Sequence, residues 1–469
     1  METTAIVLAA GKGTRMKSAV PKVLHEVCGV PMVEHVRRAV VAAGATRLIV
    51  VVSPDTEAPI RECLQASPVE YAIQADPQGT GHAAAQALPL LEGHGGDVLV
   101  VCGDTPLINP ETLRTLLQVR RDADVAVVTA TFEPEDPSAY GRVVRQGDDA
   151  LAIIEHADAT EKQREELREV NSAVYVFEVQ ALRDAIPHLK PSAKGEIYLT
   201  DTVGWLYNDG RGSKAAGPFA ENEFMGVNDR WSLAEAGRIM RLQILERLAR
   251  EGVTIVDPAS TYVEADVTAE PDALIHPMTV IEGRTTLGAG CQVGPSSWIK
   301  DSVIGPRARV FMSHVDQAII GEGSRCGPFA NLRPGTVLES QVKVGNFVEV
   351  KNAVLSQQVS VSHLTYIGDA SVGPRTNIGA GTITCNYDGF KKSRTTIGAD
   401  AFVGSNSTLV APVSIANRAM IAAGSVVTRD VPEGALAVGR GRQENKEEWA
   451  DNWRRRQQGS VDGAETSNP

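Results

Sequence analysis

The sequence predicts an α/β domain with a mostly parallel, Rossmann-like sheet, then a connecting helix, and then a parallel β-helix. Three observations predict this architecture. Apolar runs alternate with helical patterns up to about residue 227, a capped amphipathic segment follows, and aliphatic residues then recur every six positions. Since a simple strand has a period of two and a helix a period of 3.6, a period of six indicates triangular coils with small residues at their corners.

The N-terminal part contains continuously apolar runs that predict strands buried on both faces. These runs are residues 5–8, 48–52, 98–101 and 125–128. A helical segment at residues 33–43 separates the first two runs, and strands that alternate with helices imply a mostly parallel sheet. Ligands bind at the carboxyl ends of such strands, which is where residues 11–15 and Gly103-Asp104 follow.

A connecting helix is predicted over residues 229–251. Ser232 and Glu235 have the spacing of a capping box, and Gly252 is a typical helix stop. Between them, apolar residues recur at intervals of three or four, namely Leu233, Ala236, Met240, Ile244 and Leu248.

From about residue 253, aliphatic–glycine pairs recur, and the last six aliphatic positions are spaced by six without exception. They are Ile397, Val403, Leu409, Ile415, Ile421 and Val427. The period breaks at residues 382–396, which predicts an extruded loop, and the polar composition after residue 456 predicts a disordered tail. We therefore predict domains at residues 1–228 and 252–456, joined by the helix at 229–251 and followed by a disordered tail at 457–469.

Composition excludes several classes of protein. The chain has 469 residues and a net charge of -12, which argues against sequence-independent binding of nucleic acid. Its six cysteines form no C-x-x-C pair, so neither a disulfide framework nor a zinc site is expected. No run of about 18 apolar residues occurs, and the N-terminal apolar run lacks a basic flank. We expect a cytoplasmic enzyme without a membrane span.

Residues 8–16 form a glycine-containing loop, L-A-A-G-K-G-T-R-M, which is followed by Pro21-Lys22. Gly11 and Gly13 allow backbone amides to approach phosphate oxygens, and Arg15 and Lys22 are suited to neutralise a triphosphate and a leaving pyrophosphate. The loop is neither a Walker A motif nor a dinucleotide fingerprint. Taken alone, the two glycines fit an ordinary turn after a strand equally well.

This loop resembles the signature of the sugar-1-phosphate nucleotidyltransferases. Further matches follow in chain order: Gln74, residues 78–83, residues 103–106, residues 140–142, Glu155, Asn171 and residues 226–228. Together with the six-residue repeat, residues 3–450 resemble the bacterial bifunctional N-acetylglucosamine-1-phosphate uridyltransferase/glucosamine-1-phosphate N-acetyltransferase family. The resemblance implies a nucleotidyltransferase domain, a left-handed β-helix, Mg²⁺ as cofactor, UTP and acetyl-CoA as co-substrates, and a homotrimer.

For the N-terminal domain, the resemblance implies a set of contacts to UDP-N-acetylglucosamine. These contacts are Leu8, Ala9, Ala10, Gly11, Lys22, Gln74, Gly79, Thr80, Gly141, Glu155, Asn171 and Asn228. Arg15 and Lys22 would act on the phosphates, and Asp104 and Asn228 would bind Mg²⁺, which takes oxygen ligands and only a few of them from protein. Cys102 stands where the family has an aromatic residue, which leaves one packing contact to substrate open.

For the β-helix domain, the resemblance implies that His363 is the base that deprotonates the sugar amine. Glucosamine 1-phosphate would be bound by Arg333, Lys351, Tyr366 and Asn377. Acetyl-CoA would be bound by Ala380, Asn386, Tyr387, Ser405, Ala423 and Arg440. A single histidine is more often structural or solvated, so the argument for His363 depends on its basic neighbours and on the loop that follows it.

The resulting prediction is an enzyme that acetylates glucosamine 1-phosphate and then transfers a uridyl group from UTP to the product. Three alternatives stay open from the residues alone. The β-helix could serve only assembly or regulation of a nucleotidyltransferase, the sugar or the base (dTTP in place of UTP) could differ, or the chain could be a non-enzymatic scaffold. The last alternative leaves the phosphate loop and Asp104 unexplained.

Overall fold

The computed structural model describes residues 2–192 and 195–462. Two compact units are present: one runs to Thr268 and includes Val280–Arg284, and the other comprises Ala269–Thr279 and the chain from Thr285 onward. The first unit thus keeps the connecting helix and the first turns of the repeat. These are units of packing, and the division of activities at residues 228 and 252 stays a prediction.

The first unit contains a nine-stranded mixed sheet in the order β5-β4-β1-β6-β10-β7-β11-β9-β8 and a small hairpin of β2 and β3. The strands are β1 Thr3–Leu8, β2 Glu26–Val27, β3 Val30–Pro31, β4 Arg47–Val52, β5 Glu70–Ile73, β6 Asp97–Cys102, β7 Val127–Phe132, β8 Arg142–Gln146, β9 Asp149–Ile154, β10 Val170–Glu178 and β11 Ser213–Phe219. β1 pairs in parallel with β4 and β6, as predicted, whereas β10 is antiparallel to β6 and β7. The fourth predicted strand begins two residues later, at Val127.

The α-helices are α1 Met32–Ala42, α2 Glu57–Cys63, α3 Thr80–Ala87, α4 Pro110–Ala123, α5 Glu161–Glu166, α6 Val179–Ala185, α7 Asp201–Asn208, α8 Arg230–Arg250 and α9 Trp449–Asp462. Single 3-10 turns occur at Thr14–Met16, Lys22–Leu24, Leu88–Leu91, Pro137–Ala139, Ile186–His188 and Glu221–Phe224. Helices cover both faces of the large sheet: Val7 packs with α1 and α4, and its neighbour Ile6 packs with α3, α6 and α7. Burial on both faces explains why the strands are apolar throughout.

The helix α8 begins and ends close to the predicted positions, but its cap differs from the prediction. Asp229 is the N-cap and accepts from the backbone N–H of Ser232, whose hydroxyl in turn accepts from the Asp229 N–H at 3.0 Å. The predicted box of Ser232 and Glu235 is therefore wrong by one turn, because Ser232 already lies inside the helix. Gly252, at φ 100°, follows the last turn as expected.

The repeat region forms short strands, most of them two or three residues long. They are β12 Thr254–Ile255, β13 Tyr262–Val263, β14 Thr268–Ala269, β15 Leu274–Ile275, β16 Val280–Glu282, β17 Thr286–Leu287, β18 Gln292–Val293, β19 Trp298–Lys300, β20 Val303–Ile304, β21 Arg309–Val310, β22 His314–Asp316, β23 Ile319–Ile320, β24 Arg325–Cys326, β25 Asn331–Leu332, β26 Val337–Leu338, β27 Lys343–Leu355, β28 Ser360–Val372, β29 Asn377–Ile378, β30 Ile383–Cys385, β31 Thr395–Ile397, β32 Phe402–Val403, β33 Thr408–Val410, β34 Val413–Ile415, β35 Met420–Ile421, β36 Val426–Val427 and β37 Leu436–Ala437.

Within the second unit, each strand pairs in parallel with a strand one full coil away. For example, β19 pairs with β22, and β22 pairs with β25, so three strands complete one coil. The six aliphatic residues spaced by six are all at most 5% exposed, and Val403 stacks on Ile421 of the next coil. The parallel β-helix is therefore confirmed, and its interior is the column of aliphatic side chains that the period predicted.

The break in the period is shorter than predicted. Residues 383–385 and 395–397 are strands of the coil, and the protruding segment is limited to residues 386–394. Thr384 and Thr395 are buried in the interior, where the Thr384 hydroxyl accepts from the Gly368 N–H at 2.8 Å. The prediction was too wide because threonine occupies these interior positions in place of an aliphatic residue.

The disordered tail predicted at 457–469 is wrong for residues 457–462, which lie in α9. Gly459 misled the prediction, since the preceding arginines and glutamines are good helix formers. The remainder of the tail, residues 463–469, lies outside the described residues. Across the part of the chain that the structure describes, no helix is long and apolar enough to cross a bilayer.

Candidate functional site

The predicted nucleotide residues surround a cavity of about 360 Å³ at the carboxyl ends of β1 and β6. Its lining residues are Leu8, Ala9, Ala10, Gly11, Lys22, Val23, Gln74, Pro77, Gly79, Thr80, Ala83, Cys102, Asp104, Glu196 and Tyr198. Because β1 and β6 pair in parallel with Leu8 opposite Cys102, the loops after both strands open at the same edge of the sheet. Most of the predicted nucleotide contacts therefore converge here.

The two glycines of the phosphate loop have different functions. A Cβ atom on Gly11 would meet no atom within 4 Å, so the backbone there is open to a ligand. Gly13 has φ 58°, and a Cβ on it would lie 2.5 Å from the Cβ of Lys22. Only glycine at position 13 lets the Lys22 backbone come this close to the loop.

Lys22 contacts both predicted metal ligands, and Arg15 contacts one of them. The Lys22 ammonium pairs with the Asp104 carboxylate and lies 3.4 Å from Oδ1 of Asn228. Nη2 of Arg15 donates to the same Asn228 oxygen at 2.9 Å, and the Val227 N–H donates to the Asp104 carbonyl at 2.9 Å. Residues that are distant in sequence thus form one cluster of two cations and two side-chain oxygen groups.

The donor set of this cluster consists of oxygen atoms, which fit a hard divalent cation such as Mg²⁺. Asp104 and Asn228 offer a carboxylate and an amide oxygen, and the Lys22 ammonium contacts both of them. Within the described ranges, no group of three or more His, Cys, Asp or Glu side chains could hold a metal ion. A hard cation that takes few protein ligands and completes its shell with phosphate and water matches this arrangement.

Gln74 and Gly79 form the inner end of the cavity. The Gln74 side chain is 4% exposed, and its Nε2 donates to the Gly79 carbonyl at 3.3 Å and contacts Nδ1 of His82 at 3.1 Å. Gly79 has φ 103°, and a Cβ there would lie 2.6 Å from the Ile197 carbonyl oxygen. Gly79 is therefore required for close backbone packing.

The segment around Ile197 supplies two cavity residues that sequence reasoning missed. Its backbone bonds to both sides of Gly79: the Ile197 N–H donates to the Gln78 carbonyl at 2.7 Å, and the Ile197 carbonyl accepts from Gly81 at 2.9 Å. The flanking residues Glu196 and Tyr198 line the cavity. This pairing joins segments more than 110 residues apart, and no local motif signals it.

The three predicted sugar-binding residues form a separate group that does not line this cavity. The Asn171 N–H donates to the Gly141 carbonyl at 2.9 Å, and a Cβ on Gly141 would lie 3.5 Å from Oε2 of Glu155. Glu155 accepts from the Thr200 hydroxyl at 2.9 Å. Burial, together with the charge of Asp201, raises the pKa of Glu155 above its ordinary value. The group contains a half-buried carboxylate and the buried Asn171 amide, whose oxygen accepts from the Thr129 hydroxyl at 3.0 Å.

Cys102 lies on the wall of the cavity beside the metal ligands. Burial raises the pKa of its thiol to about 12, and the charge of Asp104 acts in the same direction. The thiol is therefore protonated at neutral pH and behaves as a small apolar side chain. The Asp104 side chain lies beside it and keeps its contact with Lys22.

In the second unit, the predicted acceptor residues lie on neighbouring coils. Arg333 donates to Glu349 at 2.8 Å, and Glu349 is in register with Tyr366 on the next strand. Contact with Lys392 and the charge of Arg333 lower the pKa of Lys351. The structure thus brings the side chains of Arg333, Lys351 and Lys392 close together. A group of three cations is suited to bind a sugar phosphate.

The predicted acetyl-CoA residues follow one edge of successive coils. Ala380 accepts from the Asn406 N–H at 2.7 Å, and Ser405 accepts from the Gly424 N–H at 2.8 Å. A Cβ on Gly424 would lie 3.6 Å from Cδ of Arg440, so Arg440 lies at the same edge, next to Ala423.

The remaining predicted residues lie beside this edge. Asn386 donates to the Asp369 carboxylate at the base of the protruding segment, and the Tyr387 hydroxyl donates to the Gly389 carbonyl at 2.5 Å. Asn377 is in register with Ser360, on the strand that also contains His363. The acceptor residues and the acetyl-CoA residues therefore lie on successive coils of the β-helix.

Comparison with known protein families gives three matches along the chain. Residues 5–174 match the MobA-like NTP transferase domain, residues 263–354 match the GMPPB C-terminal domain, and residues 394–429 match the bacterial transferase hexapeptide, six repeats. The order of the matches agrees with the two parts of the fold.

Curated relatives match over nearly the full length. The chain is 47% identical to the bifunctional protein GlmU of Exiguobacterium sp., with 95% of this chain and 99% of the relative covered. It is 46% identical to that of Geobacillus thermodenitrificans, with 96% and 98% covered. It is 45% identical to that of Streptomyces avermitilis, with 95% and 93% covered.

Proposed function

The chain belongs to the family of bifunctional GlmU proteins, and from this premise we propose that it makes UDP-N-acetylglucosamine in two steps. One site acetylates glucosamine 1-phosphate with acetyl-CoA, and the other transfers a uridyl group from UTP to the product and releases pyrophosphate. The observation that supports this best is the presence of two cationic groups in one chain, one beside the phosphate loop and one around Lys351 in the β-helix.

In the uridyl step, a phosphate oxygen of N-acetylglucosamine 1-phosphate attacks the α-phosphorus of UTP, and pyrophosphate leaves. Arg15 and Lys22 neutralise the charge that develops on the phosphates, so no covalent enzyme intermediate is required. Asp104 and Asn228 would hold Mg²⁺, which when bound supplies further positive charge at the phosphates. Gly141, Glu155 and Asn171 orient the sugar.

The choice of base is supported by the hydrogen bonds of Gln74. Its Nε2 is engaged by the Gly79 carbonyl and His82, which leaves the amide oxygen to accept a hydrogen bond from a ligand. Uracil presents an N–H at N3, whereas the N3 of cytosine is itself an acceptor and would be left unpaired. The residue thus favours uridine or thymidine over cytidine nucleotides.

In the acetyl step, His363 accepts a proton from the sugar ammonium, and the free amine attacks the thioester carbonyl of acetyl-CoA. The C–S bond breaks and the thiolate leaves, and the proton that the attacking nitrogen loses as the amide forms converts the thiolate to the thiol of CoA. Arg333, Lys351, Tyr366 and Asn377 hold the sugar phosphate. Ala380, Asn386, Tyr387, Ser405, Ala423 and Arg440 hold acetyl-CoA.

A homotrimer is the assembly we propose, and an exposed apolar ridge beside His363 supports it. Met312, Phe329, Phe347 and Leu364 are 38–63% exposed, and the two phenylalanine rings stack at 5.4 Å. Their backbones bond from coil to coil, since Phe329 donates to Met312 and Phe347 to Phe329. A continuous apolar ridge of this kind is expected to pack against another chain.

Mixed assemblies test the trimer. His363→Ala and Arg440→Ala variants, each inactive in acetyl transfer, are co-expressed and purified together through two different tags. If different chains supply the two residues to one site, some sites contain both wild-type residues and part of the activity returns. A protein that is monomeric by sedimentation would contradict the proposal.

The enzyme as a whole is tested with two direct assays on the same preparation. Thiol release from acetyl-CoA is measured with glucosamine 1-phosphate and, as a control, with glucose 1-phosphate, which lacks the amine. Pyrophosphate release is measured with N-acetylglucosamine 1-phosphate and UTP, dTTP or CTP. Activity in only the second assay would show that the protein is a single-function nucleotidyltransferase. A preference for dTTP would show that thymidine, and not uridine, is the base of the nucleotide substrate. We place both reactions in the cytoplasm, where these nucleotides and acetyl-CoA are found.

A further inference from the structure

The imidazole of His363 contacts the side chain of Asn346, which lies on the preceding coil. Nδ1 of His363 lies 2.7 Å from Oδ1 of Asn346. We propose that Asn346 is a positioning residue for acetyl transfer, which fixes the tautomer and the orientation of His363. The inference deepens the proposed function and rests on it, because it takes His363 as the base.

The register of the coils imposes this contact. β27 and β28 pair in parallel with Asn346 opposite His363, so the two side chains lie side by side on adjacent coils. Two hydrogen bonds hold the backbone at His363 and at the next residue. The Thr365 hydroxyl donates to the His363 carbonyl at 2.6 Å, and the Leu364 carbonyl accepts from Gly381 at 3.0 Å. Asn346 therefore contacts a ring whose backbone is held by the next coil as well as by its own.

The chemistry of the contact decides which ring nitrogen is basic. An amide oxygen only accepts hydrogen bonds, so Nδ1 must carry the ring proton when it faces Oδ1 of Asn346. Nε2 is then left with a lone pair and can accept a proton from the sugar amine. The other tautomer would place a hydrogen on Nε2 and block this function.

The charged residues on the strands packed against His363 have other partners or lie further along the strand. On β27, Glu349 pairs with Arg333, Lys351 contacts Lys392, and the exposed Lys343 lies three residues before Asn346. On β28 itself, the charged residue is Asp369, whose carboxylate is held by Asn352 and Asn386. A neutral amide is thus the group in contact with the ring, and it orients the ring without adding charge.

Two substitutions separate orientation from charge. Asn346→Ala removes the hydrogen-bond acceptor of the His363 ring, so kcat of acetyl transfer should fall roughly ten- to a hundred-fold with little change in KM. The expected loss is smaller than the whole contribution of a general base, because His363 itself is still present. Asn346→Asp keeps an acceptor but adds a charge that favours imidazolium. It should keep most of kcat at high pH and move the acidic limb of the kcat/KM profile upward by about 1 pH unit.

Two controls accompany these variants. Gln341 also lies at a corner of the same coil, and its amide oxygen accepts from Gln358 at 2.9 Å, so Gln341→Ala removes a comparable contact between coils away from His363. Uridyl transfer by each variant controls for the concentration of intact enzyme, and the melting temperature of each variant reports that the β-helix is folded. Both acetyl transfer by Gln341→Ala and uridyl transfer by all variants should stay within about twofold of wild type.

The outcomes distinguish this inference from the proposed function. If Asn346→Ala keeps its kcat, or if Asn346→Asp leaves the acidic limb where it was, Asn346 does not position the base. His363→Ala is measured in parallel. If that variant retains acetyl transfer, the assignment of the base itself fails, whereas its inactivity combined with an unaffected Asn346→Ala overturns only the inference about Asn346.

Discussion

The two candidate sites are built in opposite ways. In the N-terminal unit, Arg15, Lys22, Asp104 and Asn228 come from three distant parts of the chain and meet only because their strands and loops open at one edge of a sheet. In the β-helix, His363 and Asn346 are 17 residues apart and meet because the coil repeats. The first site depends on long-range contacts, and the second depends on register.

This difference indicates where each site is sensitive to change. A site that joins distant segments depends on the residues that hold those segments together, and some of these are buried charges. A site on stacked coils is positioned by the coil before it and the coil after it. Its geometry therefore depends on contacts between adjacent repeats only. The predictions below test this contrast, starting with the largest expected effect.

The largest effect is expected at the point where the distant segments converge. Asp104→Ala removes the carboxylate that contacts Lys22 and the proposed metal, so uridyl transfer should fall roughly a hundred- to a thousand-fold. Acetyl transfer by the same protein should stay within about twofold of wild type. A folded variant that loses both activities would show that the two sites are not independent.

The next effect concerns stability rather than chemistry. Asp97 is fully buried at the start of β6, where it pairs with Arg120 and, at 2.6 Å, with Arg121. Asp97→Ala leaves Arg120 buried without this partner, and the free energy of unfolding should fall by about 3 to 5 kcal/mol. The exposed pair of Arg418 and Glu433 in the β-helix, at 2.6 Å, is the matched control. Glu433→Ala should leave the denaturant midpoint unchanged, and equal losses in both variants would erase the contrast between the units.

A smaller effect on stability and rate is expected when the N-terminal unit is produced as fragments of different length. Arg38 binds Asp266 at 2.6 Å, and the Asn228 N–H donates to the Ser232 hydroxyl at 3.0 Å, so both residues depend on the chain beyond residue 229. A fragment of residues 1–284 should therefore melt roughly 2 to 6 °C above a fragment of residues 1–229. The shorter fragment should fold but transfer uridyl groups several-fold more slowly. Equal melting and equal rates would place the functional boundary at residue 228, as the sequence predicts.

The smallest effect is a dependence of stability on pH at Glu155. Burial raises its pKa, so the folded state binds a proton more tightly than the unfolded state does. The stabilisation from this proton is complete below the unfolded pKa and is lost as the pH rises through the raised folded value. Glu155→Gln should therefore melt higher than wild type at pH 7.5, and the difference should narrow at pH 4. If Glu155→Gln melts below wild type at both pH 7.5 and pH 4, burial of the charged carboxylate does not destabilise the folded state.

The sequence predicted the β-helix almost completely and the N-terminal site only in part. The period of six located the interior column through Ile397 and Val427, because each coil repeats the same local requirement. The period did not identify Thr384 as an interior position, because the pattern counts only aliphatic residues. The Thr384 hydroxyl can be buried because it accepts a hydrogen bond from the Gly368 N–H. In the N-terminal unit, Glu196 and Tyr198 escaped prediction because their segment is placed by pairing with residues 78–81.

The periods, the phosphate loop and the chemistry of the side chains available to each site could therefore be derived from the residues alone. The tertiary structure decided which of those side chains meet: Lys22 with Asp104 and Asn228, Glu155 with Thr200, and Asn346 with His363. The physical reason is that periods and turn residues are local constraints on the backbone, whereas hydrogen bonds between side chains need two segments in a fixed register. Strand order and coil stacking set that register, and no single segment contains it.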